Sequence, residues 1–364
     1  MIYIGLVILN LLFFLLRKFQ KISSFLLAMW LGFLVGSPDI LTNADYFVYY
    51  DSYVYHNQTF EQGYMFLAGI YENLGISYAT FRLQLSLIAM LVLWFGIIRI
   101  TRYPSLAIIL FSISNFFVDV IQMRNLLMLA LAVFGFSFIK NLKSYKQVIL
   151  GLVIVYCSLL FHSVGIFFVF VAILFVLPHF IFKKISLSIS IISIFLNFLL
   201  ITSFGRNLVD KVLIFSVSLV SQRSNITENL LNVYQNSASN RYWIESAIVI
   251  LLICLIAYLI KSNSNLQSQK NQILFVTLSF VPLLLFSLAL LKISQDYSRA
   301  IRNLGFLYAV MLIDPASQSK YLINKVYNLL FVSIISISLG WLSIFSGYYQ
   351  YVVPNIPNSI KLNN

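Results

Sequence analysis

Charged side chains are scarce in this sequence, and that scarcity excludes a soluble fold. Only 10% of the 364 residues are Asp, Glu, Lys or Arg, whereas 60% are hydrophobic and the mean hydropathy is +0.92. A typical soluble domain has about 25% charged residues, which cover its surface in water. We therefore expect a protein whose apolar surface faces lipid.

Cysteine and acidic residues are also few. Cys157 and Cys254 lie inside apolar runs and have no metal-ligand spacing, so neither a disulfide framework nor a metal site is predicted. The net charge is +13, but the basic residues form short clusters between apolar runs. That pattern is typical of membrane topology signals and not of nucleic-acid binding. We expect no nucleic-acid partner, no metal and no cofactor.

Apolar runs of membrane-spanning length are abundant. A helix needs about 20 apolar residues to cross the hydrocarbon, and helices are the default there because they satisfy their own backbone hydrogen bonds. We predict an all-α, polytopic integral membrane protein that forms a single membrane domain over residues 1–364. The twelve predicted spans are 2–16, 22–37, 81–98, 104–121, 125–139, 147–161, 163–182, 185–204, 243–260, 272–291, 301–314 and 326–346.

Lysines and arginines between these runs predict the orientation. Cytoplasmic loops carry an excess of both residue types, and alternate connections here hold six basic clusters. We predict that these clusters are cytoplasmic, that both termini are outside, and that two long loops, residues 37–80 and 205–242, are outside too. The clusters are Arg17, Lys18 and Lys21; Arg99 and Arg102; Lys140, Lys143 and Lys146; Lys183 and Lys184; Lys261 and Lys270; Lys320 and Lys325.

Seven arginines but only three lysines fall on the predicted outer side. Topology does not distinguish the two residue types, whereas arginine presents a planar fork of donors that matches phosphate. Outer arginines therefore suggest an anionic ligand. The ten residues are Arg82, Arg124, Arg206, Arg223, Arg241, Arg299, Arg302, Lys211, Lys292 and Lys361.

The first outer loop combines carboxylates with tyrosines, among them Asp45, Tyr46, Tyr49, Tyr50 and Glu61. Aromatic faces stacked on sugar rings, with carboxylates bonded to hydroxyls, are what a carbohydrate site needs. The alternative is an aromatic belt at the membrane interface together with solvated acidic residues.

Residues 64–80, at the end of this loop, form an apolar stretch that Glu72 and Gly75 interrupt. An acidic residue and a glycine within a stretch of this length argue against a span. We predict a re-entrant or interfacial helix there.

Two candidates stand beside apolar runs. Arg124, in Gln122-Met-Arg-Asn125, is flanked by segments of hydrocarbon length, so it must meet an anion, a carboxylate or water. The alternatives are a pair with Asp119 and a snorkelling helix-end arginine.

His162 stands among about 35 almost wholly apolar residues. It is a candidate general base or a candidate hydrogen-bond donor to phosphate. The alternative is a hydrogen-bonded core histidine.

Arg299 and Arg302 open a late span on the predicted outer side. They are three residues apart, so they share a helix face, and two arginines on one face suit a diphosphate. The alternative is an exposed connector in which Asp296 forms a salt bridge to one of them.

Together these residues resemble the EpsG-like family of Wzy-type polysaccharide polymerases. The similarity covers most of residues 40–180, and the chain departs from the family in having Asn125 where glutamine is usual. The matching motifs are Asp45-Tyr46 with the following tyrosines, Glu61-Gln62-Gly63, Gln122-x-Arg124-Asn125, His162-Ser163, and a late outer arginine, either Arg299 or Arg302.

The resemblance implies a glycosyltransferase of the multi-span C type. It would polymerise undecaprenyl-diphosphate-linked oligosaccharide repeat units on the outer leaflet of a bacterial plasma membrane. It would act beside a flippase and a chain-length regulator.

On this interpretation three sets of residues have roles. Arg124, Arg299 and Arg302 would hold the diphosphate. A general base would come from Asp45, Glu61 or His162. The predicted sugar-binding residues are Tyr46, Tyr49, Tyr50, Gln122 and Asn125.

Three other functions stay open. A flippase for lipid-linked oligosaccharides would fit twelve spans, but two related halves are expected in such transporters and we find no internal repeat. A membrane acyltransferase would need a cytoplasmic motif, and none is found. A polysaccharide ligase has chemistry so close to that of a polymerase that the residues do not separate them.

Overall fold

A computed structural model describes most of the chain, and its described residues are helical, with no strand among them. The side chains of residues 240–242, 322 and 339–345 are outside the description. The described residues are 2–38, 40, 43, 45–56, 60–140, 144–202, 204–205, 207–208, 211, 240–264, 266–293, 297–318 and 322–345.

Fifteen α-helices are found in these ranges. Each of the twelve predicted spans overlaps at least one of them, and α3 and α4 lie in the predicted first outer loop. The helices are α1 Ile2–Leu16, α2 Gln20–Gly36, α3 Tyr46–Tyr55, α4 Gln62–Asn73, α5 Tyr78–Ile100, α6 Pro104–Ile113, α7 Phe116–Asp119, α8 Met123–Ile139, α9 Tyr145–Cys157, α10 Gly165–Val176, α11 His179–Leu199, α12 Asn240–Ser262, α13 Gln267–Leu291, α14 Ser298–Ser317 and α15 Leu322–Phe345.

By length and composition, four helices of the described chain can cross a membrane. They are Tyr78–Ile100, His179–Leu199, Trp243–Ser262 and Gln267–Leu291. Seven further apolar helices have 10–17 residues. The protein is therefore a helical membrane protein, whereas the number of twelve spans stays a prediction. At 12 residues, α4 is about 18 Å long and too short to span. That length is compatible with the predicted re-entrant or interfacial segment.

Two predicted boundaries were wrong. The span predicted at 104–121 is broken after Ile113, where Ser114 donates from Oγ to the carbonyl of Leu110 and the backbone leaves the helix. Such side-chain bonds to the backbone compete with helix continuation. Further on, Pro178 immediately precedes α11, so Lys183 lies within that helix and not in a connection.

The helices group into two compact units. The first comprises residues 1–172 and 336–364, and α8 is central in it, packed between α5 and α9. Nearly every side chain of α8 is buried, which explains why its sequence is apolar on all faces after Asn125, apart from Ser137. Glycines allow the contact with α9: a Cβ on Gly135 would lie 2.8 Å from the carbonyl oxygen of Gly151.

The second unit comprises residues 173–335. Here α13 packs against α11, α12 and α14. Helix α14 is almost wholly buried, including Arg302 and Asn303.

Candidate active site

An ion pair between a buried arginine and a half-buried glutamate joins the first outer loop to α8. Arg124, in the first turn of α8, is only 7% exposed, and its Nη1 donates to Oε2 of Glu61, the residue before α4. Its Nε donates to the hydroxyl of Tyr49, 3.3 Å away. The other terminal nitrogen, Nη2, has no hydrogen bond to any residue that the structure describes. The carboxylate that meets Arg124 is therefore Glu61, 63 residues earlier in the chain.

Asp119, the partner considered from sequence, has a different contact. Its Oδ1 accepts a hydrogen bond of 2.5 Å from the amide Nδ2 of Asn125. Both side chains are fully buried. This bond ties the short helix α7 to the start of α8, so Asn125 contributes to the shape of the turn that presents Arg124.

Aromatic rings cover the guanidinium of Arg124. Its Cζ lies 4.0 Å from the ring centroid of Phe60 and 5.3 Å from that of Tyr49. Cation–π contacts of this kind stabilise a guanidinium that has little water around it. Sequence reasoning missed Phe60, although its place beside Glu61 in the loop was a usable signal.

The second oxygen of Glu61 points to the segment after α9. Its Oε1 accepts from the backbone N–H of Ser163, 3.4 Å away. Gly63 explains why these segments meet: a Cβ there would lie 2.7 Å from Cβ and 2.8 Å from the carbonyl oxygen of Leu160. The glycine of the Glu61-Gln62-Gly63 motif thus lets α4 contact the 3₁₀ turn Ser158–Leu160.

His162 lies next to this contact and is 7% exposed. Its Nδ1 accepts a hydrogen bond of 3.2 Å from the backbone N–H of Val164. An accepting Nδ1 carries no proton, so the neutral ring has its proton on Nε2 and is a donor there. Of the two roles predicted for His162, this tautomer favours a hydrogen-bond donor to phosphate over a general base.

Two buried oxygens near the pair have no hydrogen-bond partner among the described residues: the hydroxyl of Tyr64 and Oε1 of Gln122. Tyr64 packs against Tyr49 and Phe60, and Gln122 precedes α8. Burial raises the pKa of the Tyr64 hydroxyl well above its ordinary value, so it stays a neutral O–H at physiological pH. An unsatisfied buried polar group costs about 1–3 kcal/mol, so a ligand or water that bonds to these oxygens would be favoured.

The remaining tyrosines pack largely against their neighbours. Tyr46 is buried, with its ring edge-on to Tyr78 at 5.2 Å. Tyr50 is half-buried and stacks on Tyr46 at 6.5 Å. Asp45 immediately precedes α3 and is half-buried. Sugar binding by these residues stays a prediction, with Tyr50 the more accessible ring.

A second buried arginine has a structural role. Arg82 donates to the carbonyl oxygens of Val35 and Val120 at 3.1 and 3.0 Å, and to the hydroxyl of Tyr78 at 3.2 Å. Asn43 also donates to Val120, at 3.1 Å. Arg82 thus holds the end of α2 and the turn before α8 in place. The outer arginines therefore do not all need an external anion.

The late arginines belong to the second unit. Arg299 is half-buried and Arg302 is buried, one turn apart at the start of α14. Asp296, the predicted salt-bridge partner, lies outside the described residues, as does most of the predicted loop 205–242. The roles of Arg299 and Arg302 at a diphosphate stay predictions.

Comparison with known proteins gives one finding. The family model described as the EpsG family matches residues 19–355, which is nearly the whole chain. No curated protein and no solved structure shows a significant match.

Proposed function

The chain belongs to the EpsG family, a Wzy-like family of polysaccharide polymerases, and on that premise we propose the reaction that it catalyses. The protein polymerises undecaprenyl-diphosphate-linked repeat units by glycosyl transfer at the outer face of the bacterial plasma membrane. The observation that carries this proposal is the Arg124–Glu61 pair, with the N–H of Ser163 on the same carboxylate.

The reaction needs a cation and a base. The bond from the donor's anomeric carbon to its phosphate oxygen breaks, and a bond to an acceptor sugar oxygen forms. The lipid diphosphate leaves as an anion, while the acceptor hydroxyl loses its proton. Donors aimed at the developing negative charge lower such barriers most in a site with little water.

Arg124 is placed to bind the diphosphate that leaves from the donor. Tyr49 and Glu61 occupy two of its nitrogens, and Nη2 remains for a phosphate oxygen. The aromatic rings of Phe60 and Tyr49 keep water away from the guanidinium. His162 adds a second donor through Nε2–H.

Glu61 is the proposed general base that takes the proton from the acceptor hydroxyl. When the diphosphate engages Arg124, the carboxylate of Glu61 loses part of its counter-charge and accepts the proton of the sugar hydroxyl. The Tyr64 O–H and the side-chain oxygen of Gln122 supply one donor and one acceptor for orienting that sugar. Asp45 is the alternative base.

The test is Glu61→Gln, with Glu72→Gln as the matched control. Glu72 lies on the same short helix α4 but is exposed, and its 3.1 Å partner is His56. Each variant is purified with its full chain and given a lipid-diphosphate-linked repeat unit, and products are sized on gels. We expect Glu61→Gln to lose about 10²–10⁴-fold in elongation rate, as for a general base, and Glu72→Gln to retain it. Normal elongation by Glu61→Gln would refute the assigned base.

A further inference from the structure

The second unit contains a cavity of about 200 Å³, and none of the residues assigned to the proposed reaction line it. It lies between the end of α11, the start of α12 and the end of α13. These three helix ends are all predicted from the charge bias to face the outer side. Its lining includes Ile194, Asn197, Phe198, Ile201, Trp243 and Leu288.

The cavity is suited to hydrocarbon and not to sugar. Asn197, its amide side chain, already donates to the carbonyls of Ser193 and Leu285 at 2.8 and 3.0 Å and accepts from Trp243 Nε1 at 3.4 Å. The rest of the lining is apolar. Sites for whole small molecules are usually about 300–1,000 Å³, so this cavity takes a segment of one chain.

A cation lies next to this apolar cavity. Lys292 follows the last residue of α13, and its Nζ is 3.9 Å from the ring centroid of Trp243, which lines the cavity. It is one of only three lysines on the predicted outer side, where the topology rule disfavours them. A lysine beside an apolar cavity fits an anionic headgroup attached to a hydrocarbon chain.

We infer that this cavity binds the first isoprene units of the acceptor's polyprenyl diphosphate, with that diphosphate beside Lys292, whereas the leaving diphosphate of the donor is the one assigned to Arg124. The inference rests on the proposed function, which requires a lipid diphosphate at the outer face. A diphosphate bears more negative charge than the single phosphodiester of a phospholipid, so the lysine favours it. The volume of about 200 Å³ admits a segment of one hydrocarbon chain.

Photolabelling tests the site directly. The full chain is placed in nanodiscs of zwitterionic phospholipid with a diazirine-bearing polyprenyl diphosphate, and labelled peptides are identified by mass spectrometry. Unlabelled undecaprenyl diphosphate and phosphatidylglycerol are the two competitors. We expect labels on the peptides of α11, α12 and α13 that line the cavity, and competition by the diphosphate at much lower concentration than by the phospholipid.

Variants sharpen the test. Ala247→Phe fills the cavity and should remove most labelling, whereas Ile248→Phe, on the adjacent residue that is 52% exposed, should not. Lys292→Gln should weaken binding about five-fold, the usual worth of one basic residue near an anionic lipid, and Lys292→Arg should restore it. Lys261→Gln, at the other end of α12, is the charge control.

Three outcomes would overturn the inference: equal competition by phosphatidylglycerol, labelling confined to other helices, or unchanged binding in both Ala247→Phe and Lys292→Gln. The proposed function is measured separately, by elongation of a lipid-linked repeat unit. Elongation without labelling of the cavity would refute the site alone. Labelling of the cavity by a chain that never elongates would support the site and refute the polymerase reaction.

Discussion

Two buried arginines in the same unit differ in what their donors meet. Arg82 is fully buried and donates to two backbone carbonyls and one tyrosine. Arg124 donates to a carboxylate and to Tyr49, and no described residue accepts a hydrogen bond from its other terminal nitrogen, Nη2. Both lie on the predicted outer side, where the excess of arginine over lysine does not by itself distinguish them.

The difference shows how to separate a structural arginine from a candidate ligand-binding one. A guanidinium that meets neutral carbonyls closes gaps between helix ends, and its charge is compensated by dipoles. A guanidinium that meets a carboxylate beside unsatisfied oxygens, such as those of Tyr64 and Gln122, can also bind a phosphate through the nitrogen that its protein partners leave unused.

Of the two arginines, Arg124 should show the larger effect when it is changed to Gln. Loss of a donor to the leaving diphosphate should lower the elongation rate by about 10²–10³-fold. The double variant Arg124→Gln/Glu61→Gln removes the uncompensated, half-buried carboxylate that the single variant leaves. It should therefore recover thermal stability but not elongation. Arg102→Gln, at an exposed residue beyond α5, is the control.

Elongation at a normal rate by purified Arg124→Gln would show that Arg124, like Arg82, has only a structural role. Loss of elongation with recovery in the double variant would show that Arg124 only balances the charge of Glu61.

A smaller effect, on stability, is expected from Arg82→Met. The change keeps the side-chain length but removes every donor, so the carbonyl of Val35 loses the donor that it has from Arg82. One unsatisfied buried group costs about 1–3 kcal/mol. The melting temperature in detergent should fall, and the specific elongation rate of the remaining folded protein should be near normal. An unchanged melting temperature with lost elongation would instead place Arg82 in the reaction.

A smaller effect on elongation than that of Arg124→Gln is predicted for Gly63→Ala. The new Cβ would lie 2.7 Å from Cβ of Leu160, so α4 must shift and move Glu61 relative to Arg124. Overpacking of this kind costs about 1–3 kcal/mol, which would appear as a reduction of about ten-fold in elongation. Gly69→Ala, on the same helix with nothing within 4 Å, should leave elongation unchanged. Equal rates for the two variants would contradict the role assigned to the close approach.

Sequence reasoning was most successful where the cause is local. Hydropathy predicted a helix at every span because an apolar run of this length needs an internally hydrogen-bonded backbone in lipid. Errors arose where one side chain outweighs the run, as at Ser114 and Pro178. The motif residues Glu61, Arg124 and His162 were all recognised as candidates from their chemistry in an apolar context.

Hydropathy and residue chemistry by themselves therefore determined the membrane class, the approximate helix positions apart from the breaks at Ser114 and Pro178, and the candidate side chains. Only the tertiary structure decided that Glu61 is the partner of Arg124, that Arg82 supports backbone carbonyls, and which nitrogen of His162 accepts a hydrogen bond from the backbone. These contacts join segments that packing brings together, or depend on the precise path of one turn. Neither the spacing of residues nor their hydropathy carries that information, because many packings of the same helices satisfy both.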